Sequence, residues 1–459
     1  MGTRWIIVCA VAIVGAGCQS APVAPSQFDG TPLTPTPQLA AAESSGVVQP
    51  AVFTTEPPVD SSAAEAVDSS PHDLSHFQQL ALNAHPARNQ LLAKIRALQG
   101  SWLQAGIAPN PTLSYMSENI GAVGTAGMQG AAIAQRVPTG GKRGWRQHVI
   151  EHQIIRIEQQ LAELDERVKT DVRMAFIQAL IARRRLELTE QFVDLGREAT
   201  ETSERLLEAG DIPRIGLLQT QVEFENARML HRRAVNELLS ARRRLAAVSA
   251  ATESATEQLA GELGELPEPL DFEQQLQRLV AQSPEIAVAA AQVEQAQAAL
   301  ESAIAEITPD VQVQVAVQRD NAIRQDVAAV QIGVALPLWN KQQGLIRQRR
   351  AEIALAASNL ERVEVDLRQR LVNAFEEYND ARVQTDDMAK EIIPKVERTM
   401  ELVREGYAGG QLGYLDWTNA QRTYYQTKLS ELEAIADVWE SHVEIEGMLL
   451  QNSFNAPSQ

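Results

Sequence analysis

The stretch HVIEH, residues 148–152, places two histidines and a glutamate at the H-x-x-E-H spacing with which one class of zinc peptidases holds its metal. On a helix, His148 and His152 share a face, so both imidazoles could approach one cation. Such an enzyme also needs a further acidic ligand and a substrate cleft, and the surrounding sequence offers neither. A second stretch, TGGKRG at 139–144, has the flavour of a phosphate-binding loop. That loop requires a glycine six residues before its lysine and Ser or Thr after it; here Arg136 and Arg143 stand there. Met116 and Met128 could be written as soft-metal ligands, but their setting among alternating apolar residues reads as packing. No catalytic residue, resident metal or cofactor is assigned.

The elements around these stretches explain them better. The chain has 459 residues and a formal charge of −18, which argues against a general nucleic-acid binder. Its Arg183–Arg185 and Arg242–Arg244 runs lie among Glu and Leu and read as solvated helix faces. The only cysteines are Cys9 and Cys18, so the body has neither a disulfide framework nor a thiolate metal site. Arg4 precedes the apolar run WIIVCAVAIVGAG, too short to span a bilayer and shaped like a signal segment. The run ends at GAGC, with small residues before Cys18, as in a bacterial lipoprotein signal; Gly15 stands where that pattern usually has Leu. Residues 19–72 hold nine of the 21 prolines and no Lys or Arg, a composition that reads as a flexible tether.

The body is written twice. At an offset of about 199 residues, Leu161, Leu164, Val168, Val172 and Phe176 fall on Leu360, Val363, Leu367, Leu371 and Phe375. Pro138 meets Pro337 and Lys142 meets Lys341; one residue further in offset, EAGDIPRIG (208–216) meets AGGQLGYLD (408–416). Each unit is expected to run helix, two strands, long helix, turn, helix. Period-two alternation predicts strands at 310–320 and 326–337, with Val311, Val313, Val315 and Val317 on one face. The first unit's strands, at about 111–119 and 128–137, are weaker copies joined by GAVGTAG. Ile154, Ile157, Leu161, Leu164 and Val168 keep coiled-coil spacing. No proline interrupts Lys142–Glu208, so that helix would run about 65 residues, roughly 100 Å at 1.5 Å per residue.

Four strands leave two open edges, which a bilayer does not tolerate, and they are too few to close a barrel of about eight or more. Copies must therefore pool strands. Because an eight-stranded barrel is filled by its own side chains, three copies suit a conducting pore better than two. The alternative is a pair of small soluble hairpins packed on helices. Trp145 and Trp339 flank the strand-to-helix junctions, as interfacial aromatics or as simple packing.

The duplicated plan, with NPTLSYMSEN, GGKR and the GQLGYLD turn, resembles the TolC-type outer-membrane efflux proteins over about residues 73–452. Within that family the first hairpin resembles the heavy-metal, CzcC-like branch, on Asn110, Pro111, Leu113, Glu118, Asn119, Gln135, Gly140, Gly141, Lys142, Arg143 and Arg146. Pro138 and Thr139 stand where that branch usually has an acidic residue before the double glycine.

The resemblance implies a mainly α fold with a small β part: a trimeric outer-membrane β-barrel above a long periplasmic α-barrel. It implies a homotrimer in outer-membrane lipid, a periplasmic adaptor, an inner-membrane pump of the RND class, and a passive duct rather than an enzyme. The expected parts are a signal at 1–17, a tether at 18–72 lipidated on Cys18, repeats at 73–260 and 261–452, and a tail at 453–459. Gly210, Asp211, Ile212, Pro213, Gly216 and Leu217 would form one periplasmic tip, serving as gate or adaptor contact. Gly409, Gly410, Gln411, Leu412 and Asp416 would form the other, with Gly216 matched to Asp416. Heavy-metal cations lead as cargo. Organic compounds, a secreted peptide, or a non-conducting periplasmic coiled-coil lipoprotein remain as alternatives.

Overall fold

The computed structural model describes residues 73–453, apart from positions 122, 123, 125, 254, 258, 262, 264 and 265. The signal, Cys18, the tether and all but the first residue of the tail lie outside the described residues.

Two short helices open each half. α1 (Leu74–Ala84) and α2 (Pro86–Gly106) are mirrored by α5 (Phe272–Gln282) and α6 (Pro284–Ala305). Asp73 and Asp271 cap the first helix of each pair, their carboxylates accepting the N–H of His76 and Gln274. The prolines at 86 and 284 disfavour helical angles at the residue before them, so His85 and Ser283 are extended and the chain bends there. The sequence pattern predicted one opening helix per unit; the proline divides it into two.

The long helices follow the hairpins. α3 (Lys142–Ala209) has 68 residues, about 100 Å at 1.5 Å per residue, and α4 (Arg214–Ser249) returns beside it. In the second half, α7 (Gln343–Asp387) runs through a π-turn at Met388–Ile392 into α8 (Ile393–Ala408), and α9 (Tyr414–Glu446) returns. A π-turn holds one extra residue in a helix. It lies where the offset between halves grows by one, between Phe375, matched to Phe176, and Gly410, matched to Gly210. Pro394 supplies the local cause, because its ring lacks an N–H and crowds the carbonyl four residues back.

The two cores are parallel. Phe77, Val168, Val172, Phe176, Leu180 and Leu245 pack in the first half. Leu279, Leu367, Leu371, Phe375, Tyr378 and Val438 pack in the second. Along the rod, α2 packs on α3, α3 on α6, and α6 on α7.

β1 (Thr112–Glu118), β2 (Met128–Val137), β3 (Val311–Asp320) and β4 (Gln325–Val334) form one antiparallel sheet in chain order. The strands fall within about three residues of their expected limits, and β4 ends at Val334, short of Pro337, which cannot donate to a ladder. Leu113, Ile133, Val315 and Val330 make one cross-strand row, all exposed. The row one step along, Ser114, Ala132, Ala316 and Ala329, faces the other way and is small. Gly130 is required there, since a Cβ would lie 1.9 Å from the Val317 carbonyl oxygen. Within this chain β1 and β4 pair on one side only. No described helix is long and apolar enough to cross a membrane.

Candidate functional site at the strand–helix junction and the helical tips

The sheet hands over to the helices through left-handed glycines. Gly140 (φ 65°) and Gly141 (φ 67°) turn the chain out of β2, and Gly141 caps α3. A Cβ at Gly140 would come within 2.8 Å of Thr308, so the glycine also permits close packing on the α6–β3 connection. This turn carries Lys142 inward. Its ammonium donates to Asp310 Oδ1 at 2.8 Å and lies 3.6 Å from Glu306 Oε2, with only 5% of its side chain exposed. Arg136 donates to Asp310 Oδ2 at 2.8 Å, and Arg146 holds Glu306 Oε1 at 2.6 Å. Burial pushes the Asp310 carboxyl up, but Lys142, Arg136 and the Thr139 N–H outweigh it and hold the group down at about 2.

The family motif therefore separates into two places. Gln135 donates to the Pro109 carbonyl at 2.8 Å, beside Asn110 and Pro111, and Arg143 donates to the Gly106 carbonyl at 3.3 Å. Gly140, Gly141, Lys142 and Arg146 complete this lower cluster. Leu113 stands on the exposed apolar face, while Glu118 and Asn119 (φ 54°) lie at the far end of the hairpin. Asp310 and Glu306, the acids that organise the junction, escaped sequence reasoning. The available signal was their position beside Pro309, which the repeat matches to Pro111.

The second junction lacks this ionic cluster. Leu336, Leu338 and Trp339 are exposed, Trp339 at 84%, and Gln342 (φ 56°) caps α7 where the first junction uses Gly141. Lys341 is exposed. Trp145 is half as exposed as Trp339 or less and stacks edge-on with His148 at 5.9 Å.

At the opposite end, Gly210 (φ 83°) ends α3, and the Asp211 N–H returns to the Leu206 carbonyl at 2.8 Å. Pro213 caps α4, Ile212 and Leu217 are half-buried, and Gly216 is buried against the Tyr414 ring. The two tips thus meet within one chain. In the second, Gly409 and Gly410 (φ 68°) end α8, and the N–H groups of Gln411 and Leu412 both return to the Gly406 carbonyl. Asp416 accepts the Gly413 N–H at 3.1 Å, which caps α9 and fixes this carboxylate locally. Behind the tips, Tyr407 stacks on Trp417 at 5.4 Å, and its hydroxyl meets Ser203 Oγ at 2.7 Å. Arg404 clamps Glu198 through both carboxylate oxygens at 2.6 and 2.7 Å. None of these five residues was singled out from sequence, because two of the pairings join residues more than 200 positions apart and the third spans the turn between α8 and α9.

HVIEH lies within the first turns of α3. His148 Nδ1 is 3.3 Å from Glu151, whose carboxylate also accepts the Trp102 Nε1–H at 2.9 Å. His152 sits 3.6 Å from Glu294 on α6. Among the described residues, no group of three or more His, Cys, Asp or Glu is arranged to hold a metal.

Residues 275–449 match the family described as Outer membrane efflux protein. The cobalt-zinc-cadmium resistance protein CzcC of Cupriavidus metallidurans is 23% identical over 359 residues, 78% of this chain and 84% of that protein. The nickel-cobalt-cadmium resistance protein NccC of Alcaligenes xylosoxydans xylosoxydans is 27% identical over 42% of this chain and 44% of its own length. Among solved structures, the outer-membrane channel OprN superposes with a TM-score of 0.65 at 15% identity, covering 83% of this chain and 90% of that one. VceC of Vibrio cholerae gives 0.65 at 14% identity, covering 82% and 95%. Residues 275–449 are thus similar to the outer membrane efflux protein family, and the body as a whole resembles the TolC-type outer-membrane efflux proteins, with metal-resistance proteins among its relatives.

Proposed function

We propose that this chain is the outer-membrane duct of a tripartite efflux assembly, closed by three copies, that passes heavy-metal cations received from an RND-type pump through a periplasmic adaptor. The observation that carries the reading is an open-edged sheet, apolar on one face, mounted on a rod of about 100 Å. A ten-residue strand at about 3.3 Å per residue, tilted by about 45°, spans roughly 23 Å, which suits the apolar band of a membrane barrel. Exposed Leu113, Ile133, Val315 and Val330 would face lipid. β1 of one copy would pair with β4 of the next, removing every edge and giving about twelve strands.

The cargo is supported by the similarity to CzcC and NccC, both metal-resistance proteins, taken together with the motif at the first hairpin. The reading makes Cys18 the lipid anchor after removal of 1–17, with 18–72 as tether and 73–260 and 261–452 as the two repeats. The tips around Gly210–Leu217 and Gly409–Asp416 would meet the adaptor.

A strain lacking the gene should lose tolerance to zinc, cobalt, cadmium or nickel and keep its tolerance to dyes and antibiotics. Sensitivity to organic compounds alone would overturn the cargo. A monomer in detergent, with no heat-resistant oligomer, would overturn the duct.

A further inference from the structure

The two short partner helices carry opposite charge. α2 has three basic residues, Arg88, Lys94 and Arg96, and no acidic one; α6 has three acidic residues, Glu285, Glu294 and Glu301, and no basic one. They occupy matched places in the two halves, each starting at a proline after an extended residue. α6 lies between two long helices, α3 and α7. α2 packs on α3 and is an end member of the series.

Glu285 shows what the charge on α6 does. Its carboxylate accepts Arg167 of α3 at 2.9 Å and Arg370 of α7 at 2.5 Å, so it clasps the two halves together. Arg167 is held in turn by Glu163 one turn earlier, at 2.7 Å. In the second half the counterparts of Glu163 and Arg167 are Arg362 and Asp366, so both signs are reversed on α7. The sign is also reversed on the partner helix, where Arg88 stands one residue beyond the counterpart of Glu285. The pattern recurs higher on the rod. Glu294 lies 3.6 Å from His152 within the chain, whereas its counterpart is Arg96, and Glu352 stands one residue beyond the counterpart of His152.

We infer that α2 docks on α7 of the next copy through an ion pair between Arg88 and Asp366, the charge-inverted equivalent of the Glu285–Arg167 contact. This rests on the head-to-tail closure proposed above and goes beyond it by naming the contact and its function. A duplicated protein offers two similar slots for two similar helices. With one shared polarity, α2 and α6 would compete for both. Inversion makes each wrong pairing repulsive, with Arg88 against Arg167 or Glu285 against Asp366, while each right pairing attracts. The ring then closes with the halves in strict alternation. Side-chain exposures of 31% for Arg88 and 53% for Asp366 leave both able to take a partner across the boundary, in addition to Asp165 and Arg370 within their own chain.

Charge exchange in the full-length protein tests this, read as the temperature at which detergent-solubilised trimers dissociate. R88E and D366R should each lower that temperature by several degrees, and R88E/D366R should regain most of the loss. R88E/D165R is the control for the contact of Arg88 within its own chain. Rescue by D165R and not by D366R would overturn the inference, as would strictly additive losses in R88E/D366R. Should a reversed charge prevent folding, Arg88→Gln and Asp366→Asn in a double-mutant cycle give the same answer, and zero coupling would overturn it. A wild-type protein that is monomeric would sink the assembly itself, an outcome distinct from a trimer whose cycle shows no coupling.

Discussion

Where β2 hands over to α3, a lysine is buried between two carboxylates; where β4 hands over to α7, two leucines and a tryptophan stand in the open. Both connections descend from one repeated plan, with Lys142 matched to Lys341 and Pro138 to Pro337. The first meets its receptor, the α6–β3 connection, in its own chain. A fixed receptor lets a buried ion pair form with good geometry, and such a pair is satisfied only when every member is held. The second connection meets no such receptor among the described residues. In the assembly proposed above, its receptor would be the α2–β1 connection of another copy, which would cover the exposed Leu336, Leu338 and Trp339. The difference teaches that the two halves share a backbone plan while the chemistry of each junction follows what it packs against within the chain.

The sharpest way to break this contrast is Asp310→Ala. It leaves Lys142 buried with Glu306 alone, and losing one partner of a buried pair costs about 3 kcal/mol or more. Thermal unfolding in detergent should show that loss, whereas Lys341→Ala should change stability by no more than about 0.5 kcal/mol. Equal effects would erase the distinction between the junctions.

Next in size is Gly140→Ala. It forces a left-handed φ on alanine and presses a methyl on Thr308, for about 2 kcal/mol together. The same unfolding measurement should show Gly144→Ala, in open space within α3, neutral or slightly stabilising.

A pH series addresses the same pair. Asp310 titrates at about 2 in the fold against 3.8 ordinarily, so its contribution is complete above about pH 4 and lost as pH falls toward 2. The loss should be no more than about 2.5 kcal/mol, at 1.36 kcal/mol per unit, and Asp310→Asn should abolish that part of the acid dependence. An unchanged acid limb in the variant would show that another group governs it.

The smallest effect concerns the tips. Tyr407→Phe removes the hydroxyl that meets Ser203 and should cost about 1 kcal/mol, measured as a shift in the unfolding midpoint. Its counterpart in the first half is Leu207, so Leu207→Ala should cost no hydrogen bond and only partial packing.

How much of this was legible depended on range. The seam of Ile157, Leu164 and Val168 and the alternation of Val311–Val317 are local patterns, and the helix and strand they predict lie where expected. The glycines at 210 and 410 announced their turns because few other residues tolerate those angles, whereas Gly140 and Gly141 were read only as part of a motif. What stayed hidden was pairing across the duplication. Nothing near Lys142 names Asp310, and nothing near Tyr407 names Ser203, since such partners are set by the packing of whole helices. Asp416 was legible as a carboxylate after a turn, yet its binding to the Gly413 N–H is visible only in the folded cap.

The π-turn at Met388–Ile392 records how such a chain survives a change in its own length. In a regular helix each inserted residue swings everything beyond it by about 100° around the axis. In the middle of a rod of this length, that rotation would aim Tyr407 and the whole second tip in a new direction. Swallowed as a single wide loop of backbone, the extra residue leaves the far end facing as before. The rod thus carries its insertion as slack, and removing one residue there should straighten the helix without turning the tip. Length in this protein is free to drift by single residues in midspan, while the azimuth of its ends is not.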